Sequence, residues 1–160
     1  MWYSMDCSSP LGDLLAVSDG TFLTGLWFKG QKKKLPPPGE IVSRAGLPVF
    51  QELERWLEDY FCGKDPGPIP PAAPSGSAFQ EAVWALLQEI PYGHTVTYGA
   101  LAARFDRPMS AQAVGGAVGR NPISILIPCH RVVGADGALT GYAGGLWRKE
   151  ALLKLEGILA

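Results

Sequence analysis

A chain of 160 residues makes one large domain or two small ones and buries about two-thirds of the surface its unfolded form exposes. With 47% hydrophobic and 18% charged residues it is globular, and intrinsic disorder is excluded. Lys and Arg number 14 and Asp and Glu 15, a net charge of -1, so composition alone makes no electrostatic case for a nucleic-acid or membrane partner. The N-terminus has no basic region and carries Asp6 and Asp13, unlike a secretion signal, and Arg104, Arg120 and Arg131 interrupt the most apolar segments. Nothing reaches the roughly 20 apolar residues of a membrane span. A cytoplasmic protein without a membrane partner is expected. Cys7, Cys62 and Cys129 are odd in number and widely spaced, with no Cys-x-x-Cys pair, which argues against a disulfide framework and a structural zinc site.

In chain order, Asp13 to Ser18 and Phe22 to Phe28 are apolar runs joined by Asp19-Gly20, a dipeptide suited to a tight turn, and predict a β-hairpin. A loop follows with Lys32-Lys33-Lys34 and Pro36-Pro37-Pro38, either a solvated charge run or a phosphate contact. Leu53, Trp56, Leu57, Tyr60 and Phe61 recur at helical spacing, and Gly63 stops that helix. From Asp65 to Ser77 five prolines and two glycines without periodicity read as a connection between folding units, placing domains at 1–73 and 74–160. The charge divides accordingly, with 7 basic and 9 acidic residues over 1–74 against 7 and 6 over 75–160.

Ser77 and Gln80 form a capping box ahead of Phe79, Val83, Leu86, Leu87 and Ile90, an apolar helical stripe closed by Pro91. Thr97 caps a helix from Tyr98 to Phe105, Asp106 to Met109 turn the chain, and Ser110 caps a second helix from Ala111 to Val118. That is a helix-turn-helix. Its second helix carries Gly115-Gly116, each costing about 1 kcal/mol relative to Ala, so a close approach is expected there, either by a neighbouring helix or by a DNA groove.

Asn121 to Arg131 is an apolar stretch that delivers a Pro-Cys-His-Arg turn. A thiol beside an imidazole is the raw material of an activated nucleophile, because the thiolate is the reactive form; a buried, inert cysteine has the same local sequence. Neighbouring side chains on extended backbone point apart, so His130 would act on Cys129 through a water. His94 is the other histidine, and no ligand pair has metal-binding spacing.

Ile127 to Gly134 reads Ile-Pro-Cys-His-Arg-Val-Val-Gly, preceded by Tyr98-Gly-Ala-Leu-Ala, Ala113-Val-Gly-Gly-Ala and Asn121-Pro and followed by Gly141-Tyr-Ala-Gly-Gly and Leu152-Leu-Lys-Leu-Glu-Gly. In order and spacing these resemble the O6-alkylguanine-DNA alkyltransferases, also called methylated-DNA–protein-cysteine methyltransferases. The resemblance runs from Phe79 to Gly157; nearer the N-terminus only Ser9-Pro10-Leu11-Gly12 is familiar. It implies an α+β protein, with an N-terminal mixed α/β unit of ribonuclease-H-like fold and a mostly helical, winged-helix-like C-terminal unit. The implied partner is double-stranded DNA containing O6-alkylguanine, bound by a monomer that needs no cofactor or metal.

The implied reaction flips the damaged base out of the duplex and moves its alkyl group irreversibly to Cys129, once per protein. His130 would pass the thiol proton through a water toward Glu156. Tyr98 would turn the nucleotide phosphate and protonate guanine N3, and Asn121 would tie the recognition helix to the active-site turn. Tyr142, Ala143 and Gly144 would wall the pocket, Val118 would line it, and the carbonyls of Cys129 and Val132 would read the exocyclic amine. On the DNA side the resemblance points to Tyr98, Gly115 and Gln112, the last standing where many members carry an intercalating arginine. Arg107 or Arg120 would then supply phosphate affinity. On the residues alone two other classes stay open: a non-catalytic damage-binding relative and a cysteine hydrolase.

Overall fold

A computed structural model describes every residue except Lys34, Pro37 and Pro38, so part of the lysine and proline runs lies outside the described residues. The protein is mixed α/β and divides into two compact units, Met1–Ser75 with Pro122–Ser124, and Gly76–Asn121 with Ile125–Ala160.

In the first unit the expected hairpin forms from β2 (Leu14–Ser18) and β3 (Leu23–Phe28), which pair antiparallel with an irregularity at Val17/Ser18. Its loop is four residues long: the Asp19 carboxylate accepts the backbone N–H of Thr21 and of Phe22, each at 2.9 Å, and Gly20 takes φ +110°. A strand that no local signal announces, β1 (Trp2–Cys7), pairs antiparallel with β2 and parallel with β4 (Ile41–Ser43), giving the order β3-β2-β1-β4. Helix α1 (Pro48–Phe61) starts with proline at its first turn, where the missing N–H costs nothing. It buries Val49, Phe50, Leu53, Trp56, Leu57 and Tyr60, an i, i+3, i+4 stripe. The proline-rich segment after it is anchored rather than loose: Leu23 donates to Pro71 O and Ala73 to Leu23 O, both at 2.8 Å, and Trp56 Nε1 bonds Gly67 O. Pro122–Ser124 also lies along β3, through Leu26 N to Pro122 O at 2.9 Å and Ser124 N to Leu26 O at 2.8 Å.

In the second unit α2 (Ala78–Leu87) begins with the expected capping box, reciprocal between Ser77 and Gln80. It ends at Leu87, and Ile90 stays buried in the following turn. Trp84 is buried and its Nε1 donates to Ala117 O at 2.9 Å, which ties α2 to α4 (Ala111–Gly119). Helix α3 (Tyr98–Ala102) is shorter than its sequence suggests, and Phe105 beyond it packs on Phe79 with ring centroids 5.4 Å apart. Thr97 and Ser110 accept from Ala100 and Ala113, capping α3 and α4 as their positions require. Two short parallel strands, β5 (Val96–Thr97) and β6 (Val132–Val133), set the start of α3 beside the Cys129 turn. Helix α5 (Leu146–Leu155) closes the chain, and among the described residues no helix is long and apolar enough to cross a membrane.

Gly25 in β3 has a packing reason to be glycine, since a Cβ there would overlap the Trp27 indole lying across it. Gly25→Ala is expected to cost about 1–3 kcal/mol of stability in denaturant unfolding. In a Trp27→Ala background the same change should be close to neutral, and an equal cost in both backgrounds would refute the overlap as its cause.

Candidate active site

The apolar stretch after α4 ends in a 3-10 turn, Cys129–Arg131, whose three side chains are buried. This corrects the expectation of extended backbone: Cys129 N bonds Ile127 O at 2.8 Å and Arg131 N bonds Pro128 O at 3.0 Å, so adjacent side chains leave a tight turn. Asn121, at the exit of α4, donates from Nδ2 to Ile127 O at 2.7 Å, and its amide favours the ionised form of the Cys129 thiol. His130 is 0% exposed, and its Nε2 lies 2.6 Å from Oε2 of Glu156, the C-cap residue just after α5. The other oxygen, Oε1, accepts from Arg131 Nε at 2.8 Å and Gly93 N at 3.0 Å. With the carboxylate taking donors on both oxygens, the proton of a neutral His130 sits on Nε2 and Nδ1 carries the lone pair.

Burial pushes the Cys129 thiol above its ordinary value, while the Asn121 amide, the Lys149 ammonium and two backbone N–H groups favour the thiolate. The resting group is a thiol, so a base must take its proton. Burial also pulls His130 below the usual histidine range against the pull of Glu156, which leaves a neutral imidazole able to do so. Cys7 makes the contrast: it is buried too, but beside Glu54 and Asp6 its thiol is pushed up to about 12. Cys62 is exposed, and all three cysteines are free thiols. Among the described residues no group of His, Cys, Asp and Glu is arranged to hold a metal ion.

Tyr98 opens α3, half-buried, with its ring 6.0 Å from Lys149 Nζ and its hydroxyl 3.4 Å from Thr140 Oγ1. A Cβ at Gly115 would meet the Tyr98 ring at 3.6 Å, an ordinary contact, so the neighbour that approaches this glycine is Tyr98. Gly116 faces open space. Val118 is buried in α4, Gly144 is buried and its carbonyl accepts from Arg148 Nη1 at 2.9 Å, Tyr142 is half-buried, and Ala143 is exposed. Gln112, Arg107 and Arg120 are exposed on or beside the two short helices.

Sequence reasoning passes over Lys149. It is 0% exposed, and its ammonium donates to Val132 O at 2.6 Å, Thr140 O at 2.7 Å and Gly141 O at 3.4 Å, fastening the glycine-rich loop to β6 beside the cysteine turn. The available signal is its place three and four residues before the buried Leu152 and Leu153, on the apolar face of α5.

The family model described as 6-O-methylguanine DNA methyltransferase, DNA binding domain, matches residues 78–158. The chain is 48% identical over 151 residues to the methylated-DNA–protein-cysteine methyltransferase of Haemophilus influenzae, covering 94% of this chain and 83% of that one. With the protein of the same name from Methanosarcina acetivorans the identity is 46% over 157 residues, 98% of this chain and 99% of the other. Among solved structures, the O6-methylguanine methyltransferase of Mycobacterium tuberculosis superposes with a TM-score of 0.85 at 40% identity, over 100% of this chain and 95% of that one. The crystal structure of Mycobacterium tuberculosis OGT in complex with DNA gives 0.85 and 40% over 97% and 91%.

Replacing Lys149 by Met removes the cation that favours the thiolate, so labelling of Cys129 by iodoacetamide, followed peptide by peptide, is expected to rise at higher pH than in the wild type. Labelling of exposed Cys62 serves as the internal control, and a Cys129 curve that does not move would break the pairing.

Proposed function

The chain belongs to the methylated-DNA–protein-cysteine methyltransferases, and from that membership we propose that Cys129 is the alkyl acceptor and that His130, Glu156 and Tyr98 run the proton traffic around it. The protein repairs DNA by direct reversal, moving the alkyl group from the damaged base to its own cysteine. The observation that carries the assignment of Cys129 is the 2.6 Å contact from His130 Nε2 to the buried Glu156 carboxylate, next to a thiol surrounded by groups that favour its anion.

In the proposed sequence the Cys129 proton passes through a water to His130 Nδ1, and Glu156 stabilises the imidazolium. The thiolate pair attacks the alkyl carbon of O6-alkylguanine in a flipped nucleotide, the C–O6 bond breaks, and its electrons move into the guanine ring. The Tyr98 phenol gives guanine N3 a proton, so a neutral base leaves. His130 then returns its proton to water and Tyr98 regains one. In sum the thiol hydrogen is exchanged for the alkyl group, and the thioether product ends the protein's activity after one turnover. Asn121 holds the turn that presents the sulfur. Tyr142, Ala143 and Gly144 wall the pocket, Val118 lines it, and the carbonyls of Cys129 and Val132 accept from the guanine amine.

The same reading assigns α3, residues 103–110 and α4 as a helix-turn-helix in a winged-helix-like catalytic unit. The two capped helices and the small, exposed face of Ala111, Gln112, Ala113 and Gly116 support entry into a narrow groove of double-stranded DNA. Gln112 fills the gap left by the flipped base, Gly115 leaves room beside Tyr98, and Arg107 contacts phosphate. The N-terminal unit, read from sequence as residues 1–73, is ribonuclease-H-like, supported by a sheet in which only β4 runs parallel to its neighbour before α1. The protein acts as a monomer in the cytoplasm.

Incubation with a duplex containing O6-methylguanine should add one methyl group to the intact mass, with none added to Cys129→Ser, and His130→Gln should slow the transfer about 100-fold or more. An undiminished adduct in Cys129→Ser would sink the assignment. Few phosphate contacts also predict a shallow fall of log affinity with log salt. Gln112→Arg should steepen that slope by about one counterion and speed base flipping; a wild-type slope already equivalent to many counterions would contradict this reading.

A further inference from the structure

Arg131 is buried and charged, and the relay above gives it no task. Its Nε donates to Glu156 Oε1 at 2.8 Å, the oxygen that His130 leaves, and its Nη1 donates to Ile90 O at 2.8 Å, just past α2. The guanidinium lies 5.9 Å from the centre of the Tyr92 ring, and Gly93 N completes the coordination of Oε1 at 3.0 Å. Anchored at two points by a rigid fork, it holds the carboxylate in one rotation and leaves Oε2 for the histidine.

A buried carboxylate whose charged partner is an imidazole has two ways to lose its excess charge. It takes up a proton itself and donates to Nε2, which leaves the imidazole hydrogen on Nδ1. Alternatively it keeps the imidazole protonated. Both outcomes remove the lone pair that has to receive the Cys129 proton. We propose that Arg131 is a positioning residue of alkyl transfer: it balances the Glu156 charge and orients the carboxylate so that His130 waits as a neutral acceptor with its hydrogen on Nε2. The inference rests on the relay proposed above.

The groups facing His130 are Glu156 from the end of α5, Lys149 from within α5, and Arg131 and Cys129 on its own turn. Glu156 holds a proton on the imidazole, whereas Arg131 and Lys149 repel one. Taking away the Arg131 charge therefore strengthens proton binding by His130 and moves the acid limb of the rate profile to higher pH.

The test is the single-turnover rate of methyl transfer from an O6-methylguanine duplex against pH, measured for wild type, Arg131→Met and Arg131→Lys, beside a ring-nitrogen NMR titration of His130. With only His94 and His130 in the chain, His130→Gln assigns the signal. In Arg131→Met the NMR titration and the acid limb are expected to move together to higher pH, with the neutral-pH rate down about tenfold or more. Arg131→Lys keeps the charge but cannot reach Glu156 and Ile90 at once, so its limb should stay near wild type while its rate falls several-fold. Unmoved midpoints in Arg131→Met overturn the proposal. If that variant does not fold, a limb displaced in Arg131→Lys overturns it, and an unmoved limb with a lowered rate supports it. A wild-type profile indifferent to His130→Gln would remove the relay itself, whereas a profile that answers to His130→Gln but not to Arg131→Met removes only the role of Arg131.

Discussion

A carboxylate with no exposed side-chain surface is tolerable only where donors meet both of its oxygens, since removing an ion from water costs several kcal/mol even after the surroundings relax. Glu156 meets that requirement with His130, Arg131 and Gly93. Those donors lie in two separate stretches of chain, the turn after α2 and the Cys129 turn, and the carboxylate itself arrives from the end of α5. The one carboxylate therefore ties these three segments together. The short β5–β6 pairing adds a second constraint, because Val96 opposite Val132 and Thr97 opposite Val133 fix where α3 begins relative to the cysteine. Tyr98 follows directly from that register.

Around this anchor the two buried thiols show what an environment does to one functional group. Cys7 sits in a strand beside Asp6 and Glu54, where negative charge adds to the effect of burial. Cys129 is as thoroughly covered, yet Asn121, Lys149 and backbone N–H groups all favour its anion. Burial alone therefore does not decide how strongly a thiol is held from ionising. The sign of the surrounding dipoles and charges does.

Features stated by neighbouring residues were legible from the sequence: the β2–β3 hairpin, the apolar stripe of α1, the Ser77–Gln80 box, the caps at Thr97 and Ser110, and the thiol–imidazole pair. Features created by distant partners were not. β1 has no clean alternation, and β5 and β6 are two residues each, so they exist only because they find each other 36 positions apart in register. α3 stops at Ala102, and Phe105 beyond it meets Phe79, a partner 26 positions away. The roles of Arg131 and Lys149 are hidden from local sequence for a different reason. Charged side chains are ordinarily solvated, and only the carboxylate and carbonyls brought to them by folding make their burial affordable. Glu156 is legible only through the family resemblance, because an acid has no local advantage at the negative end of a helix.

The burial of Cys129 and His130 takes on a further meaning in a molecule that acts once. A recycling enzyme has to let product out, let solvent back in and restore its protonation state thousands of times, which favours open sites and mobile covers. Here Cys129 is 7% exposed and His130 0%. A closed, rigid charge network is no handicap when it never has to be reset. The design question becomes shelf life rather than throughput: how long an idle thiol survives oxidants and stray electrophiles before its single substrate arrives. Keeping it protonated and covered until a base has been flipped in serves that end.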